Sequence, residues 1–281
     1  NLEKNCNSAL KVSSEKKDDI CIEYCYDDSN ADLLNYLEIE AIKDTNVIIK
    51  YISNTDKECF HNGILRVNAK NGAKLNIAII NLLNNKSLNF ESIENSFEND
   101  AVVNYTIIDI GAKTSVSNYY SNMVGRGSKN DLKTIYLGTD NQIKDINYIA
   151  ELRGEKTDIN IDVQGALKNH SKKNFKGTID FKKGCKKAVG DENEYCMLLT
   201  DDSKSIALPM LLCTEDDVEG NHSTASGKVD AQELFYIMSR GIAYNDAIKL
   251  IVKSRFNKIL ERIKDEDLKT EILQEIDRRL D

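Results

Sequence analysis

Polar and apolar residues alternate one by one along the middle of this chain. Leu75, Ile77 and Ile79 are interleaved with Lys74, Asn76 and Ala78, and Val103, Tyr105 and Ile107 with Asn104 and Thr106. Ile146, Tyr148, Ala150 and Leu152 continue the pattern, as do Ile159, Ile161 and Val163, and then Phe175, Gly177, Ile179 and Phe181. A period of two marks strands with one face buried. Strand centres are expected near residues 135, 148, 161, 179, 197 and 211, a spacing of roughly 13 to 18 residues with no helical period between them. Many short strands at near-even spacing fit a sandwich, a barrel or a β-solenoid, and periodicity alone does not choose among these. From residue 100 onward no Asn-Gly pair separates two strands, and the chain has only 14 glycines and 1 proline, which disfavours the tight hairpins of an antiparallel meander.

The two ends read differently. Residues 1–45 are mixed: Ala31 to Leu37 has the spacing of a short amphipathic helix, while Ile22, Glu23 and Tyr24 read as strand. After Gly227 the period changes. Asp230, with Glu233 three residues on, resembles a capping box, and Gly241 after Arg240 suits the left-handed residue beyond a helix end. Asn245 or Asp246 is expected to cap a longer helix carrying Ala247, Ile248, Ile251, Val252, Phe256, Ile259, Leu260 and Ile263 on one stripe. A last helix presents Leu268, Ile272, Leu273, Ile276 and Leu280. The expected organisation is a mixed segment over 1–45, a strand core over 46–227 and a helical domain over 228–281.

A net charge of −8 and a pI near 5.2 leave no basic footprint for nucleic acid, and without Trp there is little to stack bases on. Seven cysteines form no regular disulfide framework, so free thiols and a cytoplasmic location are expected. No apolar run is long enough to span a membrane. No signal peptide is visible, and a start at Asn1 leaves a processed or truncated beginning open. Cys21 and Cys25, read as strand, lie about 13 Å apart on one face, too far to share a metal.

The densest stretch of motifs runs from Pro209 to Ile242. Gly220 to Lys228 fails as a phosphate loop because the glycines are too far apart and Val229 stands where a Ser or Thr belongs. Gly125-Arg126-Gly127 lacks the third glycine of a dinucleotide site. What remains is Pro209, Asp216-Asp217-Val218, His222, Ala225, Gly227, Leu234-Phe235-Tyr236, Ser239-Arg240-Gly241-Ile242 and Ala247. This series resembles the SufB/SufD family, the scaffold proteins of the SUF iron–sulfur cluster assembly system, with good cover from about Asp145 to Arg262. The resemblance implies a mainly β fold: a right-handed parallel β-helix (solenoid) core with a small C-terminal α-helical domain.

His222 is the leading candidate ligand, on a turn where neutral imidazole can bind iron; the bland alternative is a residue that only caps the solenoid end. The resemblance places a histidine of SufD-type members here, facing a partner scaffold. Cys213 matches a cysteine of SufB-type members. Glu194 falls where such members hold their cluster-building cysteine, and Cys196, two residues on, shares its face. Cys213 and His222 flank one turn and Cys196 lies one coil earlier, so the three are expected to approach one another. Cys185 sits in a basic loop that would lower its pKa if it were not simply a solvated turn. His170 reads as structural.

The family implies a non-catalytic scaffold that pairs with a sister SufB/SufD subunit or a second copy of itself. It also implies a SufC-like ABC ATPase docked on the C-terminal helices through Phe235, Tyr236, Arg240 and Gly241. A sulfur donor system and a transient iron–sulfur cluster at the subunit interface complete the implied set. A SufD-like role is favoured by His222 and by the missing cysteine at Glu194. The alternatives are a β-helix polysaccharide-active enzyme, needing a row of residues such as Asp158, Asp162 and Asp180 on one solenoid face, or a metal-free solenoid interaction protein.

Overall fold

A computed structural model describes residues 2–15 and 17–281. After a short helix α1 (Leu2–Asn5), strands β1 (Ser8–Ser14), β2 (Asp18–Tyr26), β3 (Asp32–Ala41), β4 (Thr45–Ser53), β5 (Phe60–Ala69), β6 (Lys74–Leu82), β7 (Leu88–Phe97) and β8 (Val102–Asp109) follow in order. They continue as β9 (Thr114–Met123), β10 (Lys129–Gly138), β11 (Ile143–Leu152), β12 (Asp158–Leu167), β13 (Lys172–Phe181), β14 (Ala188–Leu198), β15 (Lys204–Cys213) and β16 (Val218–Lys228). Odd strands form one 8-stranded sheet and even strands another, each ordered by coil. Every ladder is parallel, so the chain is a two-sheet β-solenoid, the fold that the family resemblance implied.

Because the register is constant from coil to coil, inward side chains stack in columns. Ile39, Val67, Asn95, Ser121, Ala150 and Ile179 form one. A second column on the same sheet is polar: His61, Asn89, Ser115, Lys144 and Lys173. Tyr51, Asn81, Asp109 and Tyr136 form a column of the opposite sheet. Inside a solenoid such groups must pair with one another. His61 Nδ1 and Asn89 Oδ1 are 2.6 Å apart, Asn89 donates to Ser115 Oγ at 2.9 Å, and Lys144 Nζ donates to Asp109 Oδ1 at 2.9 Å.

The coils begin earlier than expected. Strand β3 replaces the short helix read over Ala31 to Leu37, and the repeat already runs from Ser8 rather than residue 46. The cause is Asn35, a polar residue in the inward phase that breaks the alternation while its Oδ1 lies 2.8 Å from His61 Nε2.

Three helices close the chain: α2 (Ala231–Ser239), α3 (Tyr244–Leu260) and α4 (Glu266–Leu280). Asp230 caps α2 through the amides of Gln232 and Glu233, and Gly241 takes φ +87 just past its end, both as read from sequence. Helix α3 instead starts after Ala243 without a side-chain cap, so neither Asn245 nor Asp246 has the expected role. The stripes of α3 and α4 are buried against Ile80, Ile108, Ile135, Leu137 and Met197 on the outside of the even sheet. No helix among the described residues is long and apolar enough to cross a membrane.

Candidate functional site

The solenoid ends in an open coil, β15 and β16, whose residues are half-buried or exposed on both faces. Inward positions here are Ser205, Ala207, Pro209, Leu211 and Cys213 on β15, and Gly220, His222, Thr224 and Ser226 on β16. His222 occupies the inward phase of β16 and pairs in register with Glu192 on the coil below. Its ring is exposed.

Directly beneath lies a buried ionic cluster. Glu192, Glu194 and Lys173 are 1%, 2% and 0% exposed. Lys173 Nζ sits 2.8 Å from Glu194 Oε1, and the Tyr136 hydroxyl donates to that same oxygen at 2.9 Å. Glu194, expected from the resemblance to stand at the position of a cluster-building cysteine, is thus held in an ion pair. Glu192 has no such partner: neither carboxylate oxygen finds a hydrogen bond. Its head occupies space left free by Gly177 on the opposite wall, where an added Cβ would lie 2.1 Å from Oε2. Burial first, and the Glu194 charge second, push the Glu192 carboxyl up to about 7.

The cysteines are spread along the coil. Cys196 is buried on the Glu194 face, as its spacing implied, and burial pushes its thiol up. Its register partner is Ser226, four positions and so about 13 Å along the strand from His222. Cys213 is exposed at the far end of β15, where its Sγ lies 3.0 Å from the Glu215 carbonyl. The structure therefore places His222 between the two thiols and in direct contact with neither. Among the described residues no three His, Cys, Asp or Glu side chains converge on one point. Cys185 is neither solvated nor activated: it is buried, and burial raises its thiol to about 11 despite the surrounding lysines. His170 is exposed, 3.8 Å from Asp202.

Reading the sequence missed Lys173 and Glu192. Each sits in the inward phase of its strand, Lys173 with Phe175 and Ile179, Glu192 with Cys196, and a charge in an apolar phase is the signal that marks them. The three acids weighed for a polysaccharide-active enzyme do not share one face: Asp158 and Asp162 lie on the even sheet beside Lys129 and Lys133, and Asp180 lies on the odd sheet beside Lys182.

Two apolar surfaces flank the open coil. On β15 the outward side chains Ile206, Leu208, Met210 and Leu212 are 53%, 52%, 47% and 47% exposed, each beside a polar residue of β13. On α2, Phe235 and Tyr236 are 74% and 58% exposed, and the Arg240 guanidinium lies 5.0 Å from the Tyr236 ring while bonding its hydroxyl at 2.8 Å.

The family model described as SUF system FeS cluster assembly, SufBD core domain, matches residues 31–255. The chain is 23% identical over 261 residues to the iron–sulfur cluster assembly protein SufD of Bacillus subtilis, covering 92% of this chain and 60% of that protein. It is 30% identical over 106 residues to SufD of Escherichia coli, covering 38% of this chain and 25% of that one. An iron–sulfur cluster assembly SufBD family protein of Mycobacterium leprae is 21% identical over 227 residues, 79% of this chain and 26% of its own length. The chain thus spans less than two thirds of each of these relatives. With the family core matched over most of its length, and with the solenoid that core implies, the chain belongs to the SufB/SufD family of iron–sulfur cluster assembly proteins.

Proposed function

We propose that this chain is a non-catalytic, cytoplasmic scaffold subunit of a SUF-type assembly complex. It pairs with a sister scaffold subunit, or a second copy of itself, through the open last coil, and recruits a SufC-like ABC ATPase through α2. The observation that carries this reading is the last coil itself. Strands β15 and β16 present unpaired edges, which invite pairing with another chain. The outer face of β15 adds four adjacent, half-exposed apolar side chains, and covering each contributes about half of the ~1.5–3 kcal/mol of a full burial. On α2, Phe235, Tyr236 and Arg240, with the Gly241 turn behind them, offer the aromatic and arginine anchors typical of interface hot spots.

The iron–sulfur cluster is cargo assembled across the paired edge from iron and from sulfur supplied by a donor system. His222 offers an imidazole there and Cys213 an exposed thiol, while Cys196 and Glu194 lie beneath the surface and act only if the last coil opens. The test joins three measurements. Leu208→Asp with Met210→Asp should leave the circular dichroism of the chain intact and abolish pairing by light scattering. Phe235→Asp with Tyr236→Asp should abolish ATPase pull-down. His222→Ala should lower iron and sulfide content after anaerobic reconstitution with the partners. Unchanged pairing and unchanged ATPase capture in those variants would overturn the scaffold reading.

A further inference from the structure

We propose that the cavity enclosed between the two sheets at β7, β8 and β9 is a binding site for one water molecule, held between Glu91 of the odd sheet and Asp109 of the even sheet. The site is independent of the pairing and docking surfaces described above.

Room and lining come first. The cavity measures ≈ 20 Å³, and Asn81, Asn89, Glu91, Asp109, Ser115 and Ser117 turn polar groups towards it among isoleucines. One water needs about 10–15 Å³, so the volume suits a single molecule. Apolar cavities stay dry, whereas polar ones take ordered water. Asp109 shows the need. Its Oδ1 accepts from Asn81 Nδ2 and from Lys144 Nζ, each at 2.9 Å. Its Oδ2 is buried and has no hydrogen-bond partner among the protein's own atoms. A buried carboxylate oxygen left unmatched is costly, and folded chains match such atoms with protein groups or with water.

The donors and the charge balance agree. Ser115 Oγ accepts from Asn89 at 2.9 Å and keeps its own proton to give. Glu91, in register with Ser117, is held protonated by burial, which pushes its carboxyl up to about 8, and so adds a second donor. A water that accepts from these two groups and donates to Asp109 Oδ2 makes the roughly three bonds usual for a buried water. The occupant is neutral. Asp109 is balanced by Lys144 at 2.9 Å, burial keeps His61 uncharged by pushing it down to about 4, and Glu91 carries its proton. The lining therefore has no net charge for a sodium or ammonium ion to offset, and such an ion would itself be a buried charge without a partner. The water bridges the two sheets, since Glu91 stands on β7 and Asp109 on β8.

The experiment uses the full chain at pH 6. Oxygen-17 relaxation dispersion counts the waters that exchange slowly with solvent, and water-to-amide cross-relaxation locates them. In the unaltered chain the side-chain amides of Asn81 and Asn89 should show contact with a slowly exchanging water. Ser117→Val, which sets two methyls where one hydroxyl stood, should lower the count by one and abolish that contact. Tyr148, which Ser117 also meets, keeps Thr134 at 3.0 Å in that variant. Glu91→Gln preserves both the room and a donor and should retain the water. Circular dichroism checks that both variants are folded. Absence of the contact in the unaltered chain overturns the proposal without recourse to any variant. So does an unchanged count in folded Ser117→Val, or loss of the water from Glu91→Gln. A Ser117→Val chain more stable to urea than the unaltered one also overturns it, because filling a dry cavity stabilises. Sodium-23 relaxation that reveals an ion bound in the unaltered chain and lost from Ser117→Val overturns it in favour of a cation.

Discussion

Replacing Glu91 by glutamine should make the chain more stable at alkaline pH and leave it little changed in acid. Glu91 is 6% exposed on the inner face of β7, beside a cavity of ≈ 20 Å³ that Tyr51, Asn81, Asn89, Asp109, Ser115 and Ser117 also line. Burial pushes its carboxyl up from an ordinary 4.5 to about 8. The native chain thus holds this proton more tightly than the unfolded one. The stability it confers is complete below pH 4.5 and is lost as pH rises towards 8. Each pH unit inside that window is worth about 1.4 kcal/mol, so between pH 6 and pH 8 the loss is about 2–3 kcal/mol. The neighbours do not blur the window. His61, with Nδ1 3.9 Å from Glu91 Oε2, is pushed down to about 4 by burial and stays neutral. Tyr51 is pushed well above its ordinary value, and Asp109 is paired with Lys144. Glu192 titrates with the same sign but is common to both proteins, so it cancels in the difference. The assay is urea unfolding of the unaltered chain and Glu91→Gln, followed by circular dichroism at pH 6 and pH 8. The advantage of the variant should grow by about 2–3 kcal/mol between the two. A difference that stays constant within about 0.5 kcal/mol refutes the reasoning.

Three further outcomes follow from the packing. Lys173→Met leaves Glu194 buried without its cation and should cost about 3–5 kcal/mol in urea unfolding, most of it regained in the double variant with Glu194→Gln. Gly165→Ala drives a Cβ to 1.8 Å from the Tyr136 ring. It should cost about 1–3 kcal/mol or more, whereas Gly227→Ala, facing open space, should shift stability by at most about 1 kcal/mol. Asp230→Ala removes the cap of α2 and should weaken that helix by about 1 kcal/mol, read as faster hydrogen exchange at Gln232 and Glu233.

The strands were legible because each coil repeats one phase: Phe175, Ile179 and Phe181 point inward wherever the chain is sampled. The corners were not. A solenoid corner needs a left-handed residue, and here Asp100, Ala112, Asp140, Lys156, Asn169 and Lys187 take that conformation beside Gly72 and Gly127, so most corners carry no glycine signal. The candidate site shows the same limit from the other side. Spacing alone placed Cys196 on the face of Glu194, but it gave no sign that Glu194 is neutralised by Lys173, because that pairing joins a side chain of β13 to one of β14 across the interior.

The last coil carries this limit to its conclusion. In β13 the inward phase is Lys173, Phe175, Gly177, Ile179 and Phe181, and the outward phase is Lys172, Asn174, Lys176 and Thr178. In β15 the outward phase becomes apolar: Ile206, Leu208, Met210 and Leu212 point out, while Ser205, Ala207, Pro209, Leu211 and Cys213 take the inward phase. Alternation in a single strand cannot tell which face is which; only its register on β13 does. A strand that closed the solenoid for solvent would keep the phase of its neighbours and set polar groups outside. An apolar outward face is what an edge strand shows when that face is covered by another surface. The proposed pairing face therefore rests on a reading of register, Ile206, Leu208, Met210 and Leu212 falling outward opposite Asn174, Lys176, Thr178 and Asp180, which the sequence of β15 alone does not contain.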